Sequence, residues 1–191
     1  MAQYWDNLAD TYAKIGQADF WLKHRLRILD GISGRVLDGG CGSGDLVRAL
    51  RHLEVDAFGV DAAAQMVRLA QQKLAEHDFD PQVITQGDLT QLAFRDNSFD
   101  VVVTTGVLGT FSAEMQQAAL KELTRVAGSE LRLLEPFEKR PGLYPARVVG
   151  WLFDGQRPLK TSTFEQLGLR AERKWDAVMG VFSFIHCTIS E

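Results

Sequence analysis

The residues best placed to do chemistry are the glycines and acids of Asp38-Gly39-Gly40-Cys41-Gly42-Ser43-Gly44-Asp45. Glycines in a turn between a strand and a helix let a ligand approach the backbone where Cβ atoms would obstruct it. Such a turn alone specifies only a nucleotide-like ligand, and the surrounding charge decides which. A dinucleotide fingerprint reads G-x-G-x-x-G, but here Gly40, Gly42 and Gly44 are followed by Asp45 where the third glycine belongs. Asp38 and Asp45 flank the turn and would repel a pyrophosphate docked on the helix N-terminus. They suit a ligand that carries cationic groups, while the N–H groups of the turn remain for an anionic one.

S-adenosylmethionine (SAM) has an ammonium, a sulfonium and a carboxylate, so the charges favour it over a nicotinamide dinucleotide. Asp61 strengthens the argument. It ends a second strand pattern, Ala57-Phe58-Gly59-Val60, where an acid can accept both ribose hydroxyls. Asp88 follows Gly87 at the end of a third strand pattern. Its carboxylate can take the exocyclic amine of adenine, with Leu89 packed on the ring. A single acid of this kind is usually a solvated turn cap, but three in register at strand ends point to a ligand.

These positions require a parallel α/β sheet, whose ligands lie outside the carboxyl ends of the strands. The pattern predicts strands over 35–38, 57–61, 82–85, 100–105 and 131–135, the last stopped by Pro136. Two more are expected over 169–175 and 178–189, joined at Asp176-Ala177 as an antiparallel hairpin at the sheet edge. Helices are expected from Asp45, with Leu46, Leu50 and Leu53 on one face, and from Ala64 to His77. A further helix runs from a Ser112 cap to Gly128, and a short one has Ser162 and Glu165 as its capping box and Gly168 as its stop. Before the first strand, Tyr4, Leu8 and Tyr12 stand at helical spacing, and Phe20, Trp21, Ile28 and Leu29 form the buried set of a second helix. The expected fold is Rossmann-like: seven strands, mostly parallel, helices on both faces and a C-terminal antiparallel hairpin.

Bulk properties fit one domain over 1–191 with a formal net charge of -4. That balance argues against nucleic acid, whose phosphates demand a positive stripe. Two cysteines, Cys41 and Cys187, offer no disulfide or metal framework. The N-terminus lacks the pattern of a signal peptide, and no apolar run is long enough to span a bilayer, so the expected setting is cytoplasmic.

The segment Val36 to Gly44 resembles the first motif of class I SAM-dependent methyltransferases. Gly59-Val60-Asp61, Gly87-Asp88-Leu89 and Asn97-Ser98-Phe99-Asp100-Val101-Val102-Val103 are similar to the next three motifs, in order. Tyr4-Trp5-Asp6, Tyr12 and Leu133-Leu134-Glu135-Pro136 resemble the small-molecule branch that includes the ubiquinone and menaquinone biosynthesis enzymes. The resemblance covers about the first 136 residues. Ala63 stands where the family commonly has Ser or Thr, and the turn before the fifth strand is shortened to Ala127-Gly128-Ser129. The resemblance implies that an N-terminal helical cover, residues 1–30, brings Tyr12 to the methionine end of SAM. The implied cofactor set is Tyr12, Asp38, Gly39, Gly40, Cys41, Gly42, Asp61, Ala62, Gly87, Asp88, Leu89, Thr104 and Thr105.

The expected reaction is in-line displacement at the sulfonium methyl by a small, fairly apolar acceptor in a dry pocket. A general base is needed only where the nucleophile carries a proton. The loop after the fourth strand, Thr104-Thr105-Gly106-Val107-Leu108-Gly109, has no His and no Asn/Asp-Pro-Pro-Tyr/Phe quartet. The remaining candidates are His186, Glu135 and Tyr12; His186 alternates with Phe182 and Phe184 and reads as a packed strand residue. Asp100 and Cys41 read as structural. Residues 137–165 are expected to be a substrate lid. Tyr144, Trp151, Phe153, Arg140, Arg147 and Arg157 could instead touch lipid headgroups. Three alternatives stand beside the main expectation: a lipid or quinone methyltransferase at a membrane surface, a SAM-binding regulator without catalysis, and a nicotinamide dehydrogenase. The expected assembly is a monomer or homodimer.

Overall fold

The computed structural model describes residues 19–138, 157–177 and 182–189, with side chains from 23 onward. Apolar β-branched runs set its centre. Strand β4, Phe99–Thr105, carries Val101, Val102 and Val103, all buried. Successive side chains leave a strand on opposite faces, so Val102 joins Leu120 and Leu123 on one side while Val101 and Val103 join Leu46 and Leu50 on the other. A strand buried on both faces needs a neighbour on each edge, and β4 has β1, Arg35–Gly39, and β5, Ala127–Pro136.

The remaining strands are β2, Asp56–Asp61, β3, Ile84–Gln86, β6, Arg170–Ala177, and β7, Phe182–Thr188. The sheet order is β3-β2-β1-β4-β5-β7-β6, parallel except for the antiparallel β5–β7 and β7–β6 pairs. The expected seven-stranded fold is therefore present. Helices α1, Asp19–Arg27, α2, Asp45–His52, and α3, Ala64–Ala75, precede α4, Ala113–Val126, and α5, Thr161–Gln166. One core cluster holds residues of α2 and α3 with Ile28 and Leu29, which follow α1, and the other holds residues of α4 and α5. Chain order reverses between β1 and β4, and this switch point opens a crevice at their carboxyl ends. No described helix is long and apolar enough to cross a membrane.

Several boundaries differ from expectation for physical reasons. The third strand starts two residues later, because Pro81–Val83 form a 3-10 turn capped by Asp80, whose side chain accepts from Gln82 N. Leu53 is 66% exposed, since the chain turns at Glu54 (φ 60) and packs Val55 on the core instead. Ser112 caps α4 as expected, accepting from Met115 N. Gly128 does not end that helix: Ala127 is already extended and enters β5. Lys160 takes the N-cap position of α5 without a side-chain cap, leaving Ser162 inside the helix, while Gly168 (φ 69) follows its end. Pro136 is the last residue of β5 rather than the stop before it. Asp176 and Ala177 are strand residues of β6, so the hairpin connection falls at 178–181, outside the described residues. Outside them as well lie Tyr4, Leu8, Tyr12, Arg140, Tyr144, Arg147, Trp151 and Phe153, and the side chains of Phe20 and Trp21.

Candidate cofactor site

The glycine turn leaves β1 at the switch point and bends under β2. The N–H groups of Gly40 and Cys41 both donate to Val60 O, at 2.7 and 3.0 Å. Gly40, with φ 75, lies so close to the loop after β4 that an added Cβ would stand 2.4 Å from Val107 Cγ2. Gly42, with φ 52, would meet nothing within 4 Å, so open space lies over the turn there. Cys41 is buried, and its sulfur would be 2.8 Å from a Cβ on Gly59. It fills the gap a glycine in β2 leaves, and burial pushes its thiol well above the usual range.

Asp38 and Asp61 stand at the carboxyl ends of neighbouring strands, as expected, in different states. Asp61 holds the turn: its Oδ2 accepts from Gly42 N at 2.8 Å and its Oδ1 from Ala63 N at 2.9 Å. Carboxylate oxygens have further lone pairs for a ligand hydroxyl. Asp38 is fully buried, and neither oxygen has a hydrogen-bond partner among the described residues. Desolvation raises its carboxyl to about 7, opposed by the charge of Arg25 and reinforced by Asp61 and Asp45. Asp45 does not serve the turn's ligand face. It is buried and engaged by Ser43 Oγ at 2.8 Å and Lys73 Nζ at 3.1 Å, which ties α2 to α3.

Arg25 is a residue that sequence reasoning missed. It is only 7% exposed, and its Nε donates to Thr105 Oγ1 at 3.0 Å, at the end of β4. The available signal was its spacing: Arg25, Ile28 and Leu29 share one face of the helix end, and an arginine on a buried face needs a polar partner.

On the third side, Gly87 N donates to Asp61 O at 3.0 Å. Asp88 is exposed, and its Oδ1 accepts from Thr90 N and Thr90 Oγ1, both at 2.8 Å. Ala62 is exposed, with its carbonyl accepting from Gln86 Nε2. Leu89 points into the core, with Cδ2 3.3 Å from where a Gly39 Cβ would stand. The loop after it is fixed by Arg125, which donates to Leu92 O and Phe94 O, and by Glu122, which accepts from Leu92 N.

The catalytic candidates separate. Glu135 is fully buried and accepts from Thr104 Oγ1, Val107 N and Gly109 N at 2.9, 2.9 and 3.3 Å. Desolvation raises its carboxyl, and these bonds oppose the rise. His186 pairs across the sheet with Arg132 and has Nε2 3.3 Å from Glu130 Oε2. Arg132 is three residues before Glu135, about 10 Å back from the crevice at the rise of a strand. Asp100 has its Oδ2 on Arg35 N at 2.6 Å, a structural bond at the opposite end of β4.

Residues 36–129 match a family model described as a methyltransferase domain. The demethylmenaquinone methyltransferase of Lactiplantibacillus plantarum is 32% identical over 168 residues, covering 81% of this chain and 69% of that protein. The enzyme of the same name from Renibacterium salmoninarum is 26% identical over 156 residues, covering 78% of this chain and 63% of that protein. In fold, the chain superimposes on the magnesium protoporphyrin IX methyltransferase of Synechocystis PCC 6803 with bound SAH, at TM-score 0.78 and 23% identity over 99% of this chain and 98% of that one. Ordered motifs, sheet topology and relatives agree: the chain belongs to the class I SAM-dependent methyltransferases.

Proposed function

We propose that this chain transfers the methyl group of SAM to a small, fairly apolar acceptor, with the crevice between β1 and β4 as the cofactor site. The observation that carries the assignment is the Asp38 carboxylate, buried with both oxygens unpartnered among the described residues, beside an open glycine turn. A buried carboxylate without a donor is costly, and an ammonium delivered by a ligand satisfies it. The N–H groups of Gly40, Cys41, Gly42 and Gly44 already donate within the protein, so the ligand's carboxylate falls to the N-terminus of α2. Asp61 accepts the ribose hydroxyls with its remaining lone pairs, and Asp88 the exocyclic amine. Gly39, Gly40, Cys41, Gly42, Ala62, Gly87 and Leu89 shape the cradle and Thr104 and Thr105 form its floor at β4; for its methionine end we take Tyr12 from the family resemblance, outside the described residues. When bound, SAM supplies an electrophilic methyl on a sulfonium.

The protein's own contribution is orientation and exclusion of water. Leu108 and Phe111, both buried, back the loop that follows β4. The reading of 137–165 as a substrate lid is supported by its described ends. Glu138 N donates to Leu159 O at 2.9 Å and Leu159 N to Pro136 O at 2.8 Å, so the excursion begins and ends together at the carboxyl end of β5. The net charge of -4 favours a small acceptor over nucleic acid, and we take the chain as a cytoplasmic monomer or homodimer.

A second reading, a quinol acceptor presented at a membrane surface, is favoured by the names of the relatives at 32% and 26% identity. Incubation with methyl-labelled SAM and a panel of phenols, quinols in detergent or vesicles, carboxylic acids and amines tests both. Label transfer to soluble apolar acceptors supports the first reading, and transfer only to quinols in vesicles supports the second. Tight SAM binding with no transfer to any class would indicate a regulator without catalysis.

A further inference from the structure

The loop after β4 and the glycine turn meet at one point. Val107 rests on Gly40 so closely that a Cβ there would be 2.4 Å from Val107 Cγ2. The backbone that presents Val107 is held from beneath. Glu135, at the end of β5, receives Val107 N–H on Oε1 and Gly109 N–H on Oε2, and Thr104 Oγ1 also donates to Oε1. From the side, Gln116 Nε2 donates to Leu108 O at 3.0 Å and to Arg157 O at 2.8 Å, while Arg157 N donates to Gly109 O. Thr110 Oγ1 closes the turn on Val107 O at 2.7 Å. Donors that converge on a buried carboxylate offset the cost of its desolvation, and here three donors come from one strand end and the loop it leads into.

We infer that Glu135 is a positioning residue: it clamps the loop after β4 against the cofactor turn, so that one buried carboxylate sets both cofactor affinity and the wall facing the acceptor. The inference rests on the proposal that the glycine turn holds SAM. The clamp acts through Val107, whose side chain fills the space beside Gly40 and keeps the turn in its positive-φ shape. Glu135 is thereby removed from the proton-transfer role, since its oxygens face the loop backbone.

The test combines calorimetric titration of S-adenosylhomocysteine (SAH) with hydrogen-exchange mass spectrometry of the peptide covering 106–111. Glu135→Gln places an amide donor where one acceptor stood, opposite N–H groups that need acceptors. Exchange at Val107 and Gly109 is expected to accelerate about tenfold or more, and SAH affinity to fall about 5- to 30-fold. Val107→Ala keeps the clamp but empties the contact, so loop exchange should stay near wild type while SAH affinity falls about 3- to 10-fold. Val101→Ala, buried in the far half of β4, is the control: it loses stability and keeps its SAH affinity. Wild-type affinity in Glu135→Gln with a freed loop overturns the inference, as does an equal loss in Val101→Ala. Should Glu135→Gln fail to fold, the two valine variants decide, and equal affinities overturn it. Absence of SAH binding to the wild type would strike the cofactor assignment instead.

Discussion

Raising the pH should strip stability from the ligand-free protein through Asp38. Burial raises this carboxyl from 3.8 to about 7. Between those values the native chain holds a proton that the unfolded chain has released. Stability therefore falls as pH climbs through that window and levels off above the folded value. The separation corresponds to roughly 4 kcal/mol in full. Asp38→Asn keeps the shape and removes the titration. Its stability should vary less than wild type between about pH 4 and 7, and it should be more stable at pH 8 by about 1–3 kcal/mol, the amide keeping some cost of unpartnered burial. Urea midpoints for both proteins across pH 4–8.5 give the difference, in which contributions from other carboxylates cancel. In the same variant SAH should bind at least about tenfold more weakly, because the ammonium loses its counter-charge. Binding to the wild type near pH 7 should also release a fraction of a proton, read by calorimetry in buffers of different ionisation enthalpy. Parallel pH curves for the two proteins, with equal SAH affinity, would refute the reasoning.

The remaining predictions concern the same cleft and its surroundings. Asp61→Ala should lower SAH affinity about 10- to 100-fold while leaving the fold intact, since the residue bonds the turn at a strand end; unchanged affinity in calorimetry removes it from the site. Gly40→Ala forces a Cβ against Val107 at a φ of 75, so it should cost about 1–3 kcal/mol in urea unfolding and weaken SAH binding as well. His186→Ala should leave SAH affinity within about twofold, because its nearest charged partner is Glu130, away from the crevice. A large loss of binding there would show that the far half of β5 and β7 belongs to the site.

The sheet was legible because burial on both faces writes itself into composition: three consecutive valines in β4, and strand ends marked by Asp38 and Asp61. Boundaries were less so. Gly128 read as a helix stop because the spacing was right, yet helix α4 passes directly into β5 with no left-handed residue between them. Ser162 and Glu165 matched a capping box, but the Phe137–Leu159 bridge brings the chain in so that the helix begins two residues earlier. At the site, the roles of acids were harder to read than their presence. Asp45 and Asp38 flank the turn symmetrically in sequence, but Asp45 is engaged by Ser43, by Arg48 and by Lys73, the last 28 residues away, while Asp38 has no hydrogen-bond partner among the described residues. Arg25 and the Glu135 clamp depend on contacts 80 and 26 to 31 residues apart, and no local pattern encodes such partners.

The central claim, that the acidic glycine turn at the β1–β4 switch point holds SAM, is tested most directly by isothermal titration of the purified protein with SAM and SAH. Micromolar binding of both, about -8 kcal/mol, is the predicted result. Failure of both ligands to bind, alongside measurable binding of a nicotinamide dinucleotide, would contradict the account.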